Sequence, residues 1–79
     1  MPKNDWFDSL YKAEQYAASL EYPLNKEDFS AALLYINDVL AEDREMRHMY
    51  LDIIIAGQLE GLGYEEGISV FRSTDKWYA

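Results

Sequence analysis

Apolar residues recur at helical spacing through most of this chain, tracing one face of a helix at a time. Trp6, Leu10, Ala13, Ala17 and Leu20 set the pattern between Asp5 and Leu20, which predicts a first helix of about four turns. Asn4 or Asp5 can cap its free amides, Asp5 and Asp8 suit the positive end of its dipole, and Pro23 stops it. There is no cysteine among the 79 residues. A disulfide scaffold, a redox site, a thiolate zinc site and a cysteine nucleophile are therefore excluded together. The helices must hold by packing alone, in one domain spanning 1–79, and a chain this short buries only about 60 % of its unfolded surface.

The second helix has the clearest start. Asn25 stands as cap with Asp28 three residues on, and Leu24 is placed to staple onto Phe29, so the helix begins at Lys26. Its buried stripe is Phe29, Ala32, Leu33, Ile36 and Leu40, and the same register continued would bury Asp43, Arg44 and Arg47. A break over Ala41–Arg44 follows, although no Gly or Pro marks it and one long bent helix from Lys26 to Glu60 is the other solution. Beyond the break the apolar set is Met46, Met49, Tyr50, Ile53 and Ala56, rotated by roughly a third of a turn from the previous face. This third helix is apolar on nearly every side, which makes it central or places it in an interface.

Gly57, Gly61 and Gly63 read as the end of helix three, the later two as left-handed caps. The last segment, Tyr64 to Ser73, carries helical spacing at Tyr64, Ile68 and Phe71, yet Ile68 to Phe71 also alternates as a short strand would. Helix is the stronger reading because no partner strand is evident. The fold class expected is all-α: a small bundle of three main helices plus a short C-terminal helix, with α+β and a short C-terminal hairpin as the alternative.

Charge narrows the function. Fifteen Asp and Glu against seven Lys and Arg leave a net charge of −8, which opposes direct binding to a phosphate backbone. With 49 % apolar residues the same charge does not imply disorder. No apolar run approaches the length of a membrane span or of a signal peptide core, so the expectation is a complete, cytoplasmic protein that contacts neither membrane nor nucleic acid directly.

Catalytic groups are scarce. His48 is the single histidine, no Ser sits in a Gly-x-Ser-x-Gly elbow, and Gly57, Gly61, Gly63 and Gly67 lack the Lys-Ser/Thr that a phosphate loop requires. Glu45, His48 and Asp52 follow the Glu-x-x-His spacing of di-iron bundles, but such a site needs two pairs and two further glutamates. A local interaction in which Asp52 accepts from His48 is the simpler reading. The sequence thus predicts no enzyme, no cofactor and no metal.

Two features point to partner binding instead. The acids cluster as Glu27-Asp28, Glu42-Asp43-Glu45 and Glu65-Glu66, each at a predicted helix start, where they serve the dipole and also suit a basic partner. Seven Tyr, three Phe and two Trp are more rings than a small interior holds. Trp6, Phe29 and Phe71 fall on predicted core faces, whereas Tyr11, Tyr16, Tyr22, Tyr35 and Tyr78 do not all fit inside, and Ala31, Leu34, Tyr35 and Asp38 form a second stripe on helix two. The candidate partner-binding residues are Glu42, Asp43, Glu45, Glu65, Glu66, Tyr35, Trp77 and Tyr78. A homodimer would bury the surplus most simply.

Gly63-Tyr64-Glu65-Glu66-Gly67-Ile68-Ser69-Val70-Phe71 resembles the opening of the second helix of a tetratricopeptide repeat, with Gly67 where that pattern has Ala. The resemblance implies a helical hairpin in which Leu51, Ile54 and Leu59 face Ile68 and Phe71. In size, acidity and lack of catalytic groups the whole chain is similar to the small acidic proteins that bacteriophages direct against host machinery, anti-CRISPR and antirestriction proteins among them. That similarity is one of type and implies a non-enzymatic inhibitor that occludes a basic, nucleic-acid-binding surface of a larger protein. The alternative is a dimeric adaptor or regulatory subunit that binds an apolar helix of its partner.

Overall fold

The computed structural model describes residues 2–74, with side chains from Trp6 onward. Four helices follow one another: α1 Pro2–Ser19, α2 Lys26–Val39, α3 Arg44–Gly61 and α4 Glu65–Ser73. No strand occurs among the described residues, so the all-α reading holds and the C-terminal hairpin does not form. Helix α1 is already helical at Pro2, and Asn4 and Asp5 lie inside it rather than capping it. Proline suits a first turn because its missing N–H has no partner there in any case.

Helix α2 starts where its cap predicts. The Asn25 side chain accepts from the Asp28 amide at 2.8 Å, and Leu24 and Phe29 both pack against the core. The break falls at 40–43. Asp43 is the cap of α3: its Oδ1 accepts from the Met46 amide at 3.1 Å while its Oδ2 accepts from the Trp6 indole at 2.7 Å. Arg47 closes the turn by donating to the Ala41 carbonyl at 2.8 Å. Trp6 is therefore not a core residue but an exposed-edge tether, 41 % accessible, that fastens α1 to the α2–α3 turn.

Helix α3 is the hub, packing against each of the other three, whereas α4 touches α3 alone among the described residues. Ala13 of α1, Ala32, Ile36 and Leu40 of α2, and Ile54 of α3 form the core. Among fully buried side chains only Ile36 and Ile54 are large. Of the expected α3 face, Met46 and Tyr50 pack against the core and Ala56 is buried, but Ile54 and not Ile53 fills the central place. Ile53 stands 44 % exposed and Ile54 takes the buried place, because the α1–α2 pair and α4 sit on different sides of α3 and each claims its own stripe.

Gly57 lies within α3 and does not terminate it, and Gly61 is its last helical residue. Their role is spatial. A Cβ on Gly57 would stand 2.6 Å from Tyr22 Cε2, and one on Gly61 would stand 2.8 Å from Tyr22 Cβ and 2.9 Å from the Pro23 nitrogen. The two glycines, one turn apart, form a slot for the Tyr22 ring and the chain that follows it. Gln58 locks the same junction from the side: the Leu24 amide donates to its Oε1 at 2.7 Å and its Nε2 donates to the Leu24 carbonyl at 2.9 Å. Three neighbouring residues of α3 thus hold the α1–α2 connection.

Of the tyrosines expected not all to fit inside, three are half-buried against the core and one is exposed. Tyr16, Tyr22, Tyr35 and Tyr50 all lie against the core, and Tyr16 and Tyr35 stack with ring centroids 4.3 Å apart. Tyr11 remains exposed at 61 %, and Tyr78 lies outside the described residues. The Tyr22 hydroxyl is buried with no hydrogen-bond partner among the described residues. Burial, then the neighbouring Tyr16, raises its pKa above the usual 10.0; burial, then the charge of Glu14, does the same for Tyr50.

Raised values mean that the fold favours neutral phenols. Their contribution to stability is complete below pH 10 and is lost as pH rises through the folded values. Tyr22→Phe keeps the ring in its slot and deletes the orphaned hydroxyl. We expect it to leave stability unchanged or raise it by about 1 kcal/mol at pH 7, and to flatten part of the fall above pH 10, with Tyr50 supplying the rest. Thermal melts between pH 7 and 11 check this; a Tyr22→Phe curve as steep as the parent's contradicts it.

Candidate functional site

The turn from α3 into α4 sets the geometry of the one well-formed apolar concavity described. Gly63 adopts φ +102°, and the Tyr64 and Gly63 amides donate to the Leu59 and Glu60 carbonyls, both at 3.0 Å. This is the two-bond C-cap in which a left-handed residue closes a helix and redirects the chain. Gly61 is helical, so of the two caps expected from the sequence only Gly63 fills that place. Glu65 and Glu66 follow in the first turn of α4, and Arg72 in its last turn reaches back to Glu60, 3.0 Å from each carboxylate oxygen. That pair is half exposed and contributes under about 1 kcal/mol.

Between α3 and α4 the turn leaves a groove of about 360 Å³, walled by Ile55, Leu59, Tyr64, Ile68 and Phe71, floored by Ala56 and notched at Gly67. Ile68 alone on α4 is buried; Phe71 is 39 % and Tyr64 62 % exposed. The α3–α4 hairpin is formed, but its contacts differ from those the repeat resemblance implies. Leu59 meets Ile68 and Phe71 as implied, but Leu51 and Ile54 face the main core, and Ile55 and Ala56 meet α4 in their place. Phe71 belongs to the rim of the groove and not to the core. A second recess, lined by Gly63, Tyr64, Glu65, Glu66 and Gly67, shares Tyr64 and Gly67 with the apolar groove. The apolar and acidic surfaces are thus continuous.

The residues singled out from the sequence fall into distinct places. Glu65 and Glu66 are exposed and border the groove; Glu42 and Glu45 are exposed at the far end of α3. That helix has 18 residues, so the two acidic groups stand roughly 27 Å apart along its axis. Glu27 and Asp28, in the first turn of α2, lie toward the Gln58 end of α3, since Leu24 is held there. Asp43 has one oxygen on the Met46 amide and the other on Trp6, so its contacts are structural. Tyr35 is packed against Tyr16 and the core and does not present an open ring, because the α1–α2 interface receives it. Trp77 and Tyr78 lie outside the described residues.

Glu45, His48 and Asp52 occupy successive turns of α3, and no group of three or more candidate metal ligands converges among the described residues. None of the described helices is long and apolar enough to cross a membrane. Sequence reasoning missed Gln58, whose type alone says nothing of the Leu24 backbone. It also missed the Gly57-x-x-x-Gly61 pair, where two Cβ-less positions on one helix face were themselves a signal of close approach.

No protein-family model matches the chain, and no curated protein or solved structure is similar to it.

Proposed function

We propose that this chain is a non-enzymatic, acidic binding protein that masks a basic surface of a larger protein. The observation that carries the reading is the continuity of an open apolar groove with the Glu65-Glu66 recess, in a chain whose net charge is −8. Apolar contact supplies affinity, and the surrounding negative field steers a cationic partner and rejects polyanions. Carboxylates at both ends of α3 extend that field over roughly 27 Å, a span suited to a cleft that ordinarily holds nucleic acid. This is the mode of action expected of the small acidic phage proteins that the chain resembles in type.

Ionic strength and competition test the reading. With the purified chain immobilised and a captured partner eluted in defined salt, affinity should fall at least tenfold between 50 and 300 mM NaCl, and added duplex DNA should release the partner. Binding indifferent to both salt and DNA refutes the masking role.

A further inference from the structure

We infer that the α3–α4 groove is the docking site for an amphipathic, basic α-helix of a partner protein. Two apolar side chains of that helix, one turn apart, enter the groove, and a Lys or Arg one further turn along reaches Glu65 and Glu66. The inference rests on the basic-partner reading above and adds the site and the form of the ligand.

Three observations carry it. First, every element among the described residues is helical, so no described sheet edge offers backbone pairing to an extended peptide, and an apolar groove between two helices suits an amphipathic helix laid along it. Second, the groove is apolar where it is deep and acidic at the end where Tyr64 and Gly67 belong to both recesses. An occupant that is apolar and then cationic along one face matches that order. Third, Gly67 sits in the first half of an exposed helix, where glycine costs about 1 kcal/mol relative to alanine, and a Cβ there would meet nothing within 4 Å. The fold gains nothing from the missing side chain. What the glycine does provide is the notch through which another molecule approaches the floor of the groove.

A second copy of the chain fits less well. It brings another eight negative charges, and the cation of its own α4, Arg72, is engaged with Glu60.

The test uses three synthetic 18-residue amphipathic helices with the same leucine face and a polar face of Lys, Gln or Glu, titrated into the isotopically labelled full chain. The Lys peptide should bind in the micromolar range and shift the Tyr64, Gly67 and Phe71 amide resonances. Gly67→Leu should weaken it more than tenfold while the variant melts no lower than the parent, and the double variant Glu65→Gln/Glu66→Gln should weaken it severalfold and remove most of its salt dependence. Undiminished binding of the Lys peptide to Gly67→Leu overturns the groove and leaves the basic-partner reading standing. Equal binding of the Gln peptide keeps the groove and overturns the basic partner; no binding by any peptide overturns both. A dimer in sedimentation that Gly67→Leu converts to monomer assigns the groove to a second copy and overturns the inference.

Discussion

Gly57→Ala is expected to lower stability by about 1–2 kcal/mol net, since overpacking a filled site costs about 1–3 kcal/mol. The substitution gains about 1 kcal/mol of helix propensity, so the steric penalty must exceed that before any net loss is seen. It does so because the new Cβ would stand 2.6 Å from Tyr22 Cε2 and 2.7 Å from Cζ. The ring cannot swing away without moving the α1–α2 connection, which Gln58 holds by two hydrogen bonds to the Leu24 backbone. A chain of this size has a total stability of only about 4–12 kcal/mol, so the loss should be a readily measured fraction of it. Gly67→Ala supplies the control, because the same change in an open position should raise stability by up to about 1 kcal/mol. Urea denaturation midpoints that move the same way in both variants would show that propensity, and not the Tyr22 slot, governs these glycines.

Ile54→Ala is the second large effect, about 2–5 kcal/mol for a buried branched side chain truncated to a methyl. Ile54 is fully buried in contact with the α1 and α2 stripes, and only Ile36 matches it in size among fully buried side chains. Ile53→Ala, one residue away and 44 % exposed, should cost under about 1 kcal/mol. Measured by denaturation of the two single variants, this contrast reports directly which of the two isoleucines faces the core; equal losses at both positions would return Ile53 to it.

That exchange marks the limit of what periodicity alone reveals. The second helix was legible to its cap and its stripe because it faces one interior: Asn25, Ala32, Ile36 and Leu40 all stand where a single-faced helix puts them. The third helix touches three neighbours, so its apolar residues surround it and their spacing does not say which of Ile53, Ile54 and Ile55 points to which neighbour. Two of the glycines misled for a related reason. Glycine within a helix has no local signature that separates a stop from a slot, and the difference lay 35 residues upstream in Tyr22. The acidic clusters were visible as residues, and the length of α3 between them sets their separation. Asp43 shows the same point at one residue, since its place in an acidic cluster concealed contacts to the Met46 amide and to Trp6, 37 positions away. Tyr16, Tyr22 and Tyr35 found places that their number did not suggest, because half-buried rings at helix junctions do not need a deep interior.

The bend at Gly63 has one further consequence. Its two hydrogen bonds are made by main-chain groups, so the angle at which α4 leaves α3 is inherited from the polypeptide itself and not from the side chains that line the cleft. Lining residues such as Ile55, Tyr64 and Phe71 can therefore be exchanged for others of similar bulk while the mould keeps its outline, which lets selectivity be retuned by substitution on an architecture that stays constant.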